Sequence, residues 1–240
     1  MNKKMIIKAN FIKNGITLLA FIALLFVSNY LFAQKEQQKT IQALDEYYSK
    51  AFTDWNVPGM AIAIVKNDSL IFSKGFGVQE VGKPDKVDGN TLFAIASNTK
   101  AFTAAALAIL VDEGKIKWDD KVIKYLPWFQ LYDPYVTYNM TIKDLLCHRS
   151  GLATFSGDLL WFASIYSREE VIRRARFLKP VYGFRERFGY SNIMFLAAGE
   201  IVQTVSGQTW DDFVTERIFK PLKMARTNTT TKALAGLNNV

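Results

Sequence analysis

Ser97-Asn98-Thr99-Lys100 places a hydroxyl and an amine three residues apart. On a helix these two side chains share one face and lie close enough to interact. At a helix start, free backbone N–H groups near Ser97 could stabilise a developing oxyanion. Lys100 falls in an apolar stretch, and burial disfavours a lysine's charged form, so it is a candidate base toward Ser97. Tyr190-Ser191-Asn192 is a second cluster, just ahead of a strong helical pattern. A phenol near cationic or polar groups can accept and return a proton. An amide can bridge a lysine and a substrate through its two different ends. His148-Arg149-Ser150-Gly151-Leu152 is a third, and it holds the chain's single histidine. Each cluster has a plainer reading when taken alone. Ser97 can be an ordinary N-cap beside a solvent-facing lysine. Tyr190 can be core packing, and His148 can be a structural hydrogen-bonding residue beside a glycine turn.

These residues need elements to hold them. Lys39 to Trp55 has the spacing of an amphipathic helix, with Ile41, Leu44, Tyr47, Tyr48 and Phe52 near one face and Pro58 beyond its end. Met60–Val65 and Leu70–Ser73 are β-rich runs around Asn67-Asp68 and predict a hairpin, its second strand broken by Gly75 and Gly77. Residues 97–113 predict a helix that is apolar on nearly every side from Phe102 to Val111, hence a buried one, stopped by Gly114. Thr141/Asp144, Ser167/Glu170 and Thr209/Asp212 have the spacing of capping boxes and mark three more helix starts. Asn192 to Val205 predicts a strong helix closed by Gly207. Strands are segregated from helices rather than alternating with them, which predicts an α+β arrangement.

The chain has 240 residues, half of them hydrophobic, which is enough for a substantial buried core. Its composition excludes a disordered tail, a collagen-like fibre and a polytopic membrane protein. One Cys, Cys147, rules out an intrachain disulfide, and one His rules out a multi-histidine metal site. No cofactor is expected. Lys3, Lys4, Lys8 and Lys13 precede an apolar run from Ile16 to Val27, and Leu31-Phe32-Ala33 follows. That order describes a secretory signal peptide over residues 1–33, with a working domain over 34–240. The expected location is periplasmic or extracellular. A membrane partner is expected only if this segment is not cleaved. Removing residues 1–33 deletes four lysines and no acid, which takes the formal charge from +8 to +4. The remaining charges are interspersed and do not predict a nucleic-acid partner.

Taken in order, the three clusters resemble the signatures of the serine β-lactamase and penicillin-binding-protein superfamily. They are Phe93-x-x-x-Ser97-x-x-Lys100, Leu145-Leu146-x-His148-x-Ser150-Gly151-Leu152 and Tyr190-Ser191-Asn192. The nearest likeness is to class C β-lactamases and their DD-peptidase and esterase relatives. Pro58-Gly59-Met60, Trp118-Asp119-Asp120 and Phe219-x-Pro221-Leu222-x-Met224 add smaller similarities. Tyr in place of Ser in the third cluster argues against a class A enzyme. The resemblance implies a β-lactamase/transpeptidase-like fold, of which the visible part is mostly helical with an N-terminal hairpin. It also implies an acyl-enzyme on Ser97, with Lys100 and Tyr190 sharing the proton work and Asn192 positioning Lys100 and the substrate. The implied substrates are β-lactams, D-Ala-D-Ala-type peptides or small esters.

Two departures qualify the expectation. The superfamily's downstream Lys-Thr-Gly or His-x-Gly strand has no counterpart after Asn192. The expectation is therefore a domain incomplete at its C-terminus, with little activity of its own. The alternative is a catalytically silent relative that binds cell-wall peptide or a partner. The second departure lies between Lys179 and Gly189, where Pro180 and Gly183 are separated, so the approach to Tyr190 is expected to differ from the superfamily's.

Overall fold

A computed structural model describes Leu24, residues 31–234, Leu237, Asn239 and Val240. The expected signal peptide lies almost wholly outside the described residues. The chain divides into two compact units, Met1–Thr91 with Asn238–Val240, and Leu92–Leu237.

In the first unit, α1 runs through residues 31–55. It is followed by the antiparallel strands β1 (Gly59–Lys66) and β2 (Ser69–Gly77). Asn67 and Asp68 make the turn, both with positive φ, 50° and 58°. That matches the twist a two-residue hairpin needs. Tyr48 packs on Phe72 and Phe52 stacks on Phe76, so the apolar stripe of α1 covers one face of the hairpin. The expected break at Gly75 is corrected: β2 continues to Gly77. Gly75 is needed within the strand because a Cβ there would lie 2.1 Å from the Val87 carbonyl oxygen.

The second unit is helical. A 3₁₀ turn, Ala96–Asn98, leads into α2 (Thr99–Asp112). Then come α3 (Val122–Tyr125), α4 (Pro134–Asn139), α5 (Ile142–Leu146) and α6 (Arg168–Arg174). The last long helix is α7 (Asn192–Ser206), followed by α8 (Trp210–Val214), which runs on into a π-helical turn, Thr215–Phe219. Helix α2 is not buried all round. Thr103, Ala106, Leu107 and Leu110 are buried, whereas Ala101 and Ala105 face solvent. Hydropathy alone does not separate these faces, because alanine is apolar but small enough to be left outside at little cost.

Helix α7 is the centre of this unit and packs against α2, α5, α6 and α8. Ile193, Met194, Ala197, Ala198, Ile201 and Val202 are all fully buried on it. Its start is capped by Ser191 Oγ, which accepts from the Met194 N–H, and its end by Gly207 at φ 73°. The capping signals at Thr141, Ser167 and Thr209 all act as caps, and at Thr141 the box is reciprocal. The α+β arrangement stands as expected, with a small two-stranded sheet near the N-terminus and helices after it.

Candidate active site

Every candidate catalytic residue lies in the second unit. Ser97 is in the 3₁₀ turn ahead of α2, and Lys100 is in the helix's first turn. The preceding Ala96 has φ 45°. A non-glycine residue in that region is held there at a cost of about 1–3 kcal/mol, and such strain tends to gather at functional sites. Here it turns the chain sharply just before Ser97.

Helix α7 brings the second cluster. Tyr190 and Ser191 precede its first turn and Asn192 opens it. Because α7 packs against α2, the two clusters meet although they are about ninety residues apart. Tyr190 Oη donates to Ser97 Oγ at 2.6 Å. Lys100 Nζ donates to Ser97 Oγ at 3.1 Å and to Asn192 Oδ1 at 2.7 Å. The same ammonium lies 4.7 Å from the Tyr190 ring centroid and 5.4 Å from that of Phe195. Ser97 is exposed, and Lys100, Tyr190 and Asn192 are half-buried. The candidate nucleophile is thus open to a ligand while its neighbours are held against the protein.

Desolvation pushes the Tyr190 phenol up, but the Lys100 ammonium and the hydrogen bond with Ser97 outweigh it, so its pKa is lowered from the ordinary 10.0. A phenol shifted this way is a better proton acceptor near neutral pH. His148 is shifted below 6.5, first by burial and then by the nearby Lys100 charge. It is kept neutral and serves as support. Its Nδ1 accepts the Ser191 N–H at 3.1 Å, and its ring stacks on Tyr190 at 4.5 Å. Ser150 Oγ instead accepts the Leu152 N–H.

The segment from His148 to Leu152 also anchors the loop that leads to Tyr190. The carbonyl of Gly151 accepts from Val181 and Tyr182, that of Arg149 from Arg185, and that of His148 from Gly189. Gly189 runs so close to this segment that a Cβ would lie 2.0 Å from the Leu152 carbonyl oxygen. Arg185 makes a two-pronged contact with Asp144, the capping-box partner of Thr141 in α5, at 2.8 and 2.6 Å. The loop from Lys179 to Gly189 is therefore tied down along its length.

Sequence reasoning did not find the residues on the far side of the Tyr190 cluster. Thr154 Oγ1 accepts the Tyr190 N–H at 3.2 Å, and the Phe155 N–H donates to the Tyr190 carbonyl at 2.8 Å. The Asp158 carboxylate accepts from Asn192 Nδ2 with both oxygens, at 3.1 and 2.9 Å. The only local signal was Gly157-Asp158, which reads as an ordinary turn. A cavity of ≈ 500 Å³ opens along Ser97, Lys100 and Asn192 and continues between Trp161, Phe195 and Trp210. Glu200 lines it too, its carboxyl pushed up by burial against the opposing charge of Arg168. Among the described residues no cluster of His, Cys, Asp and Glu is suited to hold a metal ion.

The beta-lactamase family profile matches residues 38–237. The unguisins hydrolase ungD′ of Aspergillus campestris is 33% identical over 195 residues, which cover 78% of this chain and 36% of that protein. Among solved structures, the octameric penicillin-binding protein homologue from Pyrococcus abyssi superposes with a TM-score of 0.72 at 27% identity, over 83% of this chain and 47% of that one. A D-stereospecific amidohydrolase from Streptomyces sp. gives a TM-score of 0.58 at 26% identity, over 70% and 51%. The chain thus spans about a third of the length of that curated relative and about half of each of those two structures.

Proposed function

Because this chain belongs to the beta-lactamase family, we propose that it is an exported serine hydrolase that forms an acyl-enzyme on Ser97. The observation that carries this reading is the contact of Ser97 Oγ with both Tyr190 Oη and Lys100 Nζ. Two potential proton acceptors beside one exposed hydroxyl is the arrangement an activated nucleophile requires.

In this reading Ser97 Oγ attacks a carbonyl carbon and passes its proton to Tyr190. The shorter contact and the lowered pKa of the phenol favour Tyr190 over Lys100 for that step. Lys100 stabilises the phenolate that accepts this proton and is itself held by Asn192. The tetrahedral adduct collapses, the carbonyl–leaving-group bond breaks, and the phenol returns the proton to the departing atom. Water then cleaves the acyl ester by the same path in reverse. In this reading the Ser97 backbone N–H, in the turn ahead of α2, donates to the oxyanion.

The names of the relatives support a carbonyl substrate. One is called a hydrolase of unguisins and another a D-stereospecific amidohydrolase. For this chain the proposed substrates are β-lactams, D-amino-acid peptides and small esters.

The test is covalent labelling with a fluorescent penicillin and with a fluorophosphonate. The chain is expected to take up label, and Ser97→Ala to lose it. Equal labelling of both proteins, or labelling of neither, would overturn the proposal, and reversible binding of a penicillin without labelling would indicate a silent binder instead.

A further inference from the structure

Resting on the reading above, we propose that Asp158 is a positioning residue that fixes which end of the Asn192 amide faces Lys100. A carboxamide has an acceptor end and a donor end of nearly equal size. Sterics alone do not decide which of them meets a neighbour. Lysine offers only donors, so it is held by the oxygen end and repelled by the nitrogen end.

Asp158 supplies the missing choice. Its carboxylate only accepts, and both of its oxygens lie within hydrogen-bond distance of Asn192 Nδ2, at 3.1 and 2.9 Å. Turning the amide over would place its oxygen against two carboxylate oxygens and its NH₂ against the ammonium. Both contacts would then be repulsive. With the amide as it stands, Oδ1 reaches Lys100 Nζ at 2.7 Å, and Lys100 reaches Ser97 at 3.1 Å. The chain of contacts runs from Asp158 through Asn192 and Lys100 to the nucleophile.

Asp158 is itself held from two sides. Trp161 Nε1 donates to its Oδ1 at 3.1 Å. The residue before it, Gly157, has φ 80°, and a Cβ there would lie 2.5 Å from Ile193 Cδ1. The loop is therefore seated directly on the first turn of α7, next to Asn192. A few residues earlier, Thr154 and Phe155 hold the Tyr190 backbone. One short loop thus sets two of the side chains that contact Lys100, Asn192 on α7 and Tyr190 on its approach.

A charge transposition tests this role. The rate of fluorophosphonate labelling at Ser97 and the thermal midpoint are measured for the wild type, Asp158→Asn, Asn192→Asp and the double variant. Asp158→Asn lets the amide turn over and is expected to slow labelling by roughly tenfold, as loss of a supporting partner usually does. Asn192→Asp sets two carboxylates against each other and is expected to slow it roughly a hundredfold or more. In the double variant the transposed amide donates to the transposed carboxylate, which again offers an oxygen to Lys100. Labelling is then expected to recover to within roughly tenfold of the wild type. A double variant no faster than Asn192→Asp, or an Asp158→Asn rate equal to the wild type, would overturn the role. If the wild type takes no label, the serine-hydrolase reading fails, and the thermal midpoints still decide the contact. Recovery of the midpoint in the double variant supports the orienting contact, and no recovery overturns it.

Discussion

His148 shows how a residue with a chemical reputation becomes a support. Its ring is stacked on Tyr190 and its Nδ1 is occupied by the Ser191 N–H. Protonation would remove that acceptor and place a second cation beside Lys100. Burial first, and the Lys100 charge second, therefore hold its folded-state pKa below 6.5. In the unfolded chain the ring takes up its proton near that ordinary value, whereas in the folded chain it resists. The stability that the neutral ring contributes is complete above 6.5 and drains away as the pH falls below it. The unfolding midpoint in urea is expected to drop between roughly pH 7.5 and 5.5, and to drop less in His148→Asn. Asparagine suits the test because His148 has φ 56°, a conformation that asparagine tolerates. The raised carboxyl of Glu200 works in the opposite sense, losing stability as the pH rises through its folded value, and it is common to both proteins. Equal pH slopes would refute the argument. Ser97, Lys100, Tyr190 and Asn192 of the candidate site were all legible as residue types at fixed spacing. Asp158 was not, because its significance lies wholly in the side chain it faces.

At the scale of elements, α5 is a small structural hinge pin. It has five residues and cannot be stable alone, since isolated helices of that length do not persist. Its capping-box residue Asp144 accepts from the N–H and hydroxyl of the N-cap Thr141 and also holds Arg185, on the loop that leads to Tyr190. Burial raises the Asp144 carboxyl, yet Arg185 and Thr141 together bring it below 3.8. Asp144→Ala is expected to cost about 2 kcal/mol, roughly half of it from the cap and the rest from a contact discounted for Arg185's exposure. Urea unfolding at neutral pH measures this, and a change within about 0.5 kcal/mol, the range of an ordinary surface substitution, would contradict it. The capping signals were readable in advance because they are local, carried by residues three apart. The continuation of β2 through Gly75 was not, because it depends on the Val87 carbonyl passing beside it.

For the whole molecule, the charge and the amino-terminal pattern belong together. The +8 of the full sequence falls to +4 without residues 1–33, so half of the excess is concentrated in one short segment. A basic start followed by a short apolar run is the physical form of an export signal, and export is part of the proposed function. Expression in a bacterial host with a periplasm is expected to yield a product whose mass, read by intact-protein mass spectrometry, lacks about the first 33 residues. Retention of the full mass in the exported fraction would argue for an uncleaved anchor. The helical unit has a core of its own, centred on α7 and including Leu107, Ile142, Ile172 and Phe213, each at most 1% exposed.

By itself the sequence determined the positions of most helices, the hairpin turn, the family likeness and four residues of the candidate site. All of these rest on short-range patterns: apolar spacing, caps, turn residues and clusters with fixed intervals. Tertiary structure alone decided that Ser97 meets Tyr190, that His148 accepts from Ser191 and stacks on Tyr190, and that Asp158 faces Asn192. Those facts depend on how α2, α7 and the loop between α5 and α6 pack together, and on which end of an amide meets which charge. The reason is physical: a hydrogen bond acts over about 3 Å of space and takes no account of the distance along the chain.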